Sequence, residues 1–204
     1  MGNHVTITVF GIILWALYSQ CHILVEYLDG GKMSAIYTKK GDEGNTMSFG
    51  GIEYRKNDSI IEVNGLIDES LVGIQNARTH FTDPRLLKQW DRVIEALYLL
   101  GAEVSNGKTT GLSKYIVPGF VEKLEEYIDE YSTEVSAFTY FNNTESIACE
   151  EARVRVRKLE RYLTSLLRQK RLRPVVYQYI NRLSDFIFVM SVYQKPKEVE
   201  DGKM

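Results

Sequence analysis

Three polar clusters in this chain hold residue types that can do chemistry. The first, Thr38-Lys39-Lys40-Gly41-Asp42-Glu43-Gly44-Asn45-Thr46, is followed by Gly50-Gly51 and by Arg55-Lys56-Asn57-Asp58. Glycines let a backbone come close to an anion and aim amides at it, while Thr hydroxyls and Lys ammonium groups add donors and positive charge, so this loop can cradle a polyphosphate. It is not a Walker A loop, since no Gly-Lys-Ser/Thr follows at the required spacing, and a plain turn region shares its composition. In the second cluster Arg153, Arg155, Arg157, Lys158, Arg161, Arg168, Lys170, Arg171 and Arg173 face one acidic residue, Glu160. Arg153, Arg157, Glu160 and Arg161 fall on one strip beside the apolar line Val156, Leu159, Leu163, where a guanidinium can fork onto phosphate or a partner carboxylate; a solvated helix face is the plainer alternative. The third cluster is Asn181-Arg182-Leu183-Ser184-Asp185. By spacing, Asn181, Ser184 and Asp185 share a face, and a polar face in so apolar a segment needs internal partners or a ligand.

The elements that must carry these clusters are helices. Apolar residues recur in steps of three and four over 61–80 (Val63, Ile67, Leu71, Ile74, Ala77), 86–104 (Leu87, Trp90, Ile94, Leu97, Gly101, Val104) and 120–131 (Val121, Leu124, Ile128, Tyr131). They recur again over 145–168 (Ala148, Ala152, Val156, Leu159, Leu163, Leu166) and after Pro174 (Val176, Ile180, Leu183, Ile187, Met190). Proline at a first helical turn loses no hydrogen bond, which suits Pro174. Five amphipathic helices with short connections predict an all-α, five-helix antiparallel bundle with ferritin-like up-down packing. Segment 36–59 has no helical period and reads as a Gly-rich loop in front of the bundle.

Composition narrows the function classes. The chain has 204 residues, 44% hydrophobic and 25% charged, which suits one globular domain and excludes disordered, collagenous and polytopic membrane classes. With 25 Lys and Arg against 27 Asp and Glu, net charge -2, no global basic excess points to nucleic acid. Cys21 and Cys149 form neither a CxxC motif nor a disulfide framework and fit a reducing, cytoplasmic setting; His4, His22 and His80 make no metal-binding pair. Residues 5–25 carry no charge and are long enough to insert in a membrane, but Ser19, Gln20, Cys21 and His22 interrupt the run and no basic residue precedes it. Met33 stands just before the first motif, so 1–32 reads as an apolar N-terminal extension, 33–194 as the helical-bundle domain and 195–204 as a polar tail.

The order of the clusters is similar to that of the PduO-type ATP:cob(I)alamin adenosyltransferases. The resemblance runs from 36 to 193 and rests on TKKGDEGNT (38–46), Lys56, NGLIDES (64–70), ARVRVRKLER (152–161) and NRLSDF (181–186). It implies a homotrimer with active sites at subunit interfaces, ATP and cob(I)alamin as substrates, and Mg2+ accompanying the ATP. It also implies a reductase and an adenosylcobalamin-dependent enzyme as partners. Carried over residue by residue, it puts Thr38, Lys39, Lys40, Gly41, Thr46, Met47 and Lys56 around the phosphates. Arg157, Lys158, Leu159, Glu160 and Arg161 fall on the nucleotide, and Asn181 completes the pocket. Asp68 and Arg153 match a charge pair that joins neighbouring subunits, and Arg157, Asp68 and Arg153 are the expected catalytic set. Phe138 is the expected apolar residue on the corrinoid side. One segment departs from the family pattern: relatives carry an F-[IV]-L-P-G-G stretch and a histidine before the A-R pair, where this chain has residues 138–143 as FTYFNN and Glu150. The departure keeps a second reading open, a trimeric module that binds ATP and corrinoid without efficient transfer.

Overall fold

The computed structural model describes Lys39 and residues 41–48, 51–106, 118–132 and 140–193. Thr38, Lys40, Phe138 and residues 1–32 and 195–204 lie outside the described residues. Among the described residues, five helices follow a two-stranded hairpin: β1 (Asn45–Met47), β2 (Glu53–Arg55), α1 (Ser59–Arg78), α2 (Pro84–Asn106), α3 (Pro118–Tyr131), α4 (Thr144–Arg168) and α5 (Pro174–Tyr193).

Local chemistry explains where the helices begin. Asp58 caps α1 by accepting from the Ile60 amide at 2.9 Å, and Asn143 caps α4 by accepting from the Ser146 amide at 2.7 Å. The other three start on Pro84, Pro118 and Pro174, whose missing N–H would have been an orphan at a first turn. Within the expected loop region 36–59, residues 45–47 and 53–55 pair as a short antiparallel hairpin. Each strand has three residues, too few for alternation to be legible, and the turns rest on Gly44 (φ 85°) and Gly51 (φ 73°).

Helix α4 packs on α5 and α1, α3 on α5, and α2 on α1. Consecutive helices alternate in direction, as expected for an up-down bundle, but a ring of five cannot alternate throughout. The parallel neighbours are α3 and α5, whose contacts Phe120–Tyr179, Glu125–Arg182 and Tyr131–Tyr193 advance together along both chains. The core is centred on Trp90, fully buried between Phe81 and Phe186 with ring centroids 5.3 Å from each. The expected stripes on α1, α4 and α5 are buried; on α2 and α3 the buried side is rotated. Val93, Leu100 and Tyr127 go inward there, while Leu87, Ile94, Val121 and Ile128 stay half-buried.

Where α1 crosses α4, a Cβ added to Gly73 would lie 2.9 Å from Arg155 Cδ and 3.2 Å from Ala152 Cα. The arginine can swing away, but a helix backbone cannot. We therefore expect Gly73→Val to destabilise the bundle by about 1 to 3 kcal/mol, the usual cost of overpacking, read as a lower Tm in thermal melts.

Candidate functional site

The glycine loop folds back on itself through main-chain bonds. The Asp42 amide donates to the Lys39 carbonyl, the Gly44 amide to the Gly41 carbonyl, and the Lys56 amide to the Gly44 carbonyl at 2.8 Å. Lys39 takes a left-handed conformation (φ 60°), uncommon for a residue with a Cβ and a common way to aim successive amides to one side. A Cβ at Gly41 would meet Lys56 Nζ at 3.1 Å, so the ammonium group lies against bare backbone at the loop. Thr46 pairs with Tyr54 in the hairpin, and Met47 is 51% exposed. The expected loop residues Lys39, Gly41, Thr46, Met47 and Lys56 thus share one compact turn and hairpin.

The arginine helix meets the last helix along a polar seam that runs beside the buried stripe. Moving down α4 and up α5, Glu150 accepts from the Ser191 hydroxyl at 3.0 Å and Arg153 lies over Phe188, its guanidinium 5.7 Å from the ring centroid. Next, Glu160 accepts from Asn181 Nδ2 at 2.9 Å and Thr164 meets the Tyr177 hydroxyl at 3.3 Å. The spacing follows from two antiparallel helices presenting positions three and four apart to one another. Asp185 sits in the same seam. Burial pushes its carboxyl above the usual range, Arg182 opposes this, Glu160 adds to it and Arg157 opposes it.

The count of nine cations against one acid changes once carboxylates from elsewhere are placed. Arg153 is gripped by Glu150 (Nε to Oε1 2.9 Å, Nη2 to Oε2 2.7 Å), and Arg155 by Glu151. Lys158 reaches Glu69 of α1, and Arg173 reaches Glu103 of α2. Among the described residues Arg157 and Arg161 are exposed and make no ion pair, so they are available cations beside Glu160 and Asn181. Lys158 turns to α1 and Leu159 is fully buried in the core, so neither side chain joins that face. Ser184 is also buried, its hydroxyl donating to the Asn181 carbonyl within the helix. Asp68 is exposed on α1, while Arg153 is held within its own helix.

Sequence reasoning named Arg182 and Glu150 without giving either a partner, and it missed Glu125. Glu150 and Glu125 lie outside the clusters, and no local pattern marks either as the partner of a distant helix. Cys149 offers no nucleophile: burial, then the Glu150 charge, pushes its thiol up to about 12. Among the described residues no group of three or more His, Cys, Asp or Glu could hold a metal ion, and no helix is long and apolar enough to cross a membrane.

Residues 36–194 match the family model described as cobalamin adenosyltransferase. The chain belongs to this family. It is 34% identical to a corrinoid adenosyltransferase of Citrobacter freundii over 167 residues, covering 78% of this chain and 94% of the relative. To the human corrinoid adenosyltransferase MMAB it is 28% identical over 185 residues, covering 85% and 74%. Among solved structures it is similar to a variant of the PduO-type ATP:corrinoid adenosyltransferase from Lactobacillus reuteri complexed with cobalamin and ATP. That likeness has a TM-score of 0.70 and 26% identity, over 78% of this chain and 92% of the other. The cobalamin adenosyltransferase match thus takes in the glycine loop, the arginine helix and the last helix together.

In this adenosyltransferase the raised carboxyl of Asp185 gives a pH signature. A carboxyl whose folded value exceeds its unfolded one contributes stability below the unfolded value, near 4, and loses it as pH rises through the folded value. Asp185→Asn should therefore gain in Tm relative to the unchanged protein as pH rises from 4 to 7, measured by paired melts across that range.

Proposed function

We propose that this protein transfers the 5′-deoxyadenosyl group of ATP to cob(I)alamin, giving adenosylcobalamin and triphosphate. The reading is carried by the family match over 36–194 together with exposed, unpaired Arg157 beside the Glu160–Asn181 contact. Cobalt(I) is itself a strong nucleophile: its electron pair forms the bond to the 5′ carbon as the bond from that carbon to the triphosphate oxygen breaks. No proton is abstracted, so no general base is called for. The protein's work is to orient ATP and to stabilise charge gathering on the departing triphosphate.

The roles follow from side-chain type. Loop amides around Gly41, the Lys56 ammonium group and the hydroxyls of Thr38 and Thr46 bind phosphate, with Lys39, Lys40 and Met47 completing the wrap. Arg157 and Arg161 supply cationic forks, and Glu160 and Asn181 hold the nucleoside end. Magnesium travels with the triphosphate. Phe138 lines the corrinoid side. The enzyme works in the cytoplasm, receives cob(I)alamin from a reductase and passes its product to an adenosylcobalamin-dependent enzyme.

The active assembly is a homotrimer with sites between protomers. Val72 on α1 (59% exposed) and Ile147 and Val154 on α4 (51% and 55%) are large apolar side chains left in water by the single chain, as expected of a surface covered by another copy. Asp68 of one protomer reaches Arg153 of the next, joining the carboxylate that already holds it.

Three outcomes test this. Anaerobic incubation with ATP and chemically reduced cobalamin should give the adenosylcobalamin spectrum; ATP binding without product would leave the binding module instead. Arg157→Ala should lower kcat/KM at least about 100-fold, the scale of losing one transition-state charge contact, with helix content unchanged by circular dichroism. Asp68→Ala should weaken the trimer in light scattering, by less than the roughly 3 to 5 kcal/mol of a stranded buried charge, because Glu150 still holds Arg153.

A further inference from the structure

Four side chains on three helices form one hydrogen-bonded line that ends at the proposed nucleotide site. Glu125 Oε1 on α3 accepts from Arg182 Nε at 2.8 Å, and Arg182 Nη1 donates to Asn181 Oδ1 at 2.9 Å. Asn181 Nδ2 then donates to Glu160 Oε1 of α4 at 2.9 Å. We propose that Arg182 and Glu125 are positioning residues for ATP, setting which way round the Asn181 amide sits and so where the Glu160 carboxylate points. The proposal rests on the site reading above, in which Glu160 and Asn181 hold the nucleotide.

Polarity decides which way round the Asn181 amide sits. An amide side chain can be turned over at little steric cost, but its two ends carry opposite partial charges. Facing Glu160, only the NH2 end is attractive; turned over, the amide oxygen would meet a carboxylate. Arg182 breaks the tie from the other side, because a guanidinium has donors and no acceptor and can bond only the oxygen. Left alone, an arginine on the bundle surface would sample many rotamers. Here Glu125 takes Nε, and Asp185 Oδ2 lies 3.7 Å from Nη1, so the guanidinium is held from α3 and from its own helix. Charge alternates along the line, from carboxylate to guanidinium to amide to carboxylate, and each bond polarises the next. Helix α3, which carries none of the expected site residues, is in this way joined to the nucleotide.

A bridge that merely ties α3 to α5 would stabilise the bundle without acting through Asn181. A double-mutant cycle on the full chain separates the two, reading the ATP dissociation constant by calorimetry and KM for ATP in turnover. Arg182→Gln should weaken ATP binding about tenfold, and Glu125→Gln about threefold, the scale of a charge-assisted hydrogen bond lost or diminished. The change should fall on KM for ATP and not on kcat. In an Asn181→Ala background both effects should vanish. If Asn181→Ala weakens ATP binding while Arg182→Gln and Glu125→Gln do not, or if the effects multiply in the double variants, the positioning role is wrong and the site reading stands. If Asn181→Ala leaves ATP binding unchanged, the site reading fails and this proposal fails with it.

Discussion

The antiparallel contact between α4 and α5 is the constraint on which the rest of the molecule depends. Each of these helices must bury an apolar stripe and yet line a polar seam, and the two demands are met on adjacent flanks. Val156, Leu159 and Leu163 face inward beside Leu183, Phe186 and Ile187, while Glu160 and Asn181 meet just outside that line. A slip of one residue between the helices would part them and move Arg153 off Phe188. Because the apolar stripe is packed at core density, such a slip is costly, and the polar geometry inherits its precision from the hydrophobic one.

The fold was largely legible because helical period is a strong signal over 20 or so residues, and the three prolines and two capping residues mark helix starts locally. The hairpin was not, since Asn45–Met47 and Glu53–Arg55 are shorter than any periodicity can resolve. Nor was the rotation of the buried side of α2, where more than half of the residues are hydrophobic and tertiary packing chooses Val93 and Leu100 over Leu87 and Ile94.

For the candidate site, residue types and order carried most of the reading, and partners carried the rest. Counting charges within 153–173 suggested a strongly basic strip, yet Glu69, Glu103, Glu150 and Glu151 neutralise four of its members from outside the window. Ion pairs are made in space, so a window along the chain overstates the free positive charge. Among the described residues Arg157 and Arg161 stay unpaired beside Glu160 and Asn181, Arg168 and Arg171 stay exposed at the far end of the window, and Lys158 and Leu159 point to other sides of the helix. 

The parallel pairing of α3 and α5 has a geometric consequence. The end of α3 and the start of α4 lie on either side of α5, two helix spacings or roughly 18 Å apart, which about six extended residues would cover. The sequence provides 12, from 132 to 143. Half of that crossover is therefore surplus to connectivity. A segment released from topological duty can change its sequence at little expense to the bundle, and FTYFNN (138–143) falls within it.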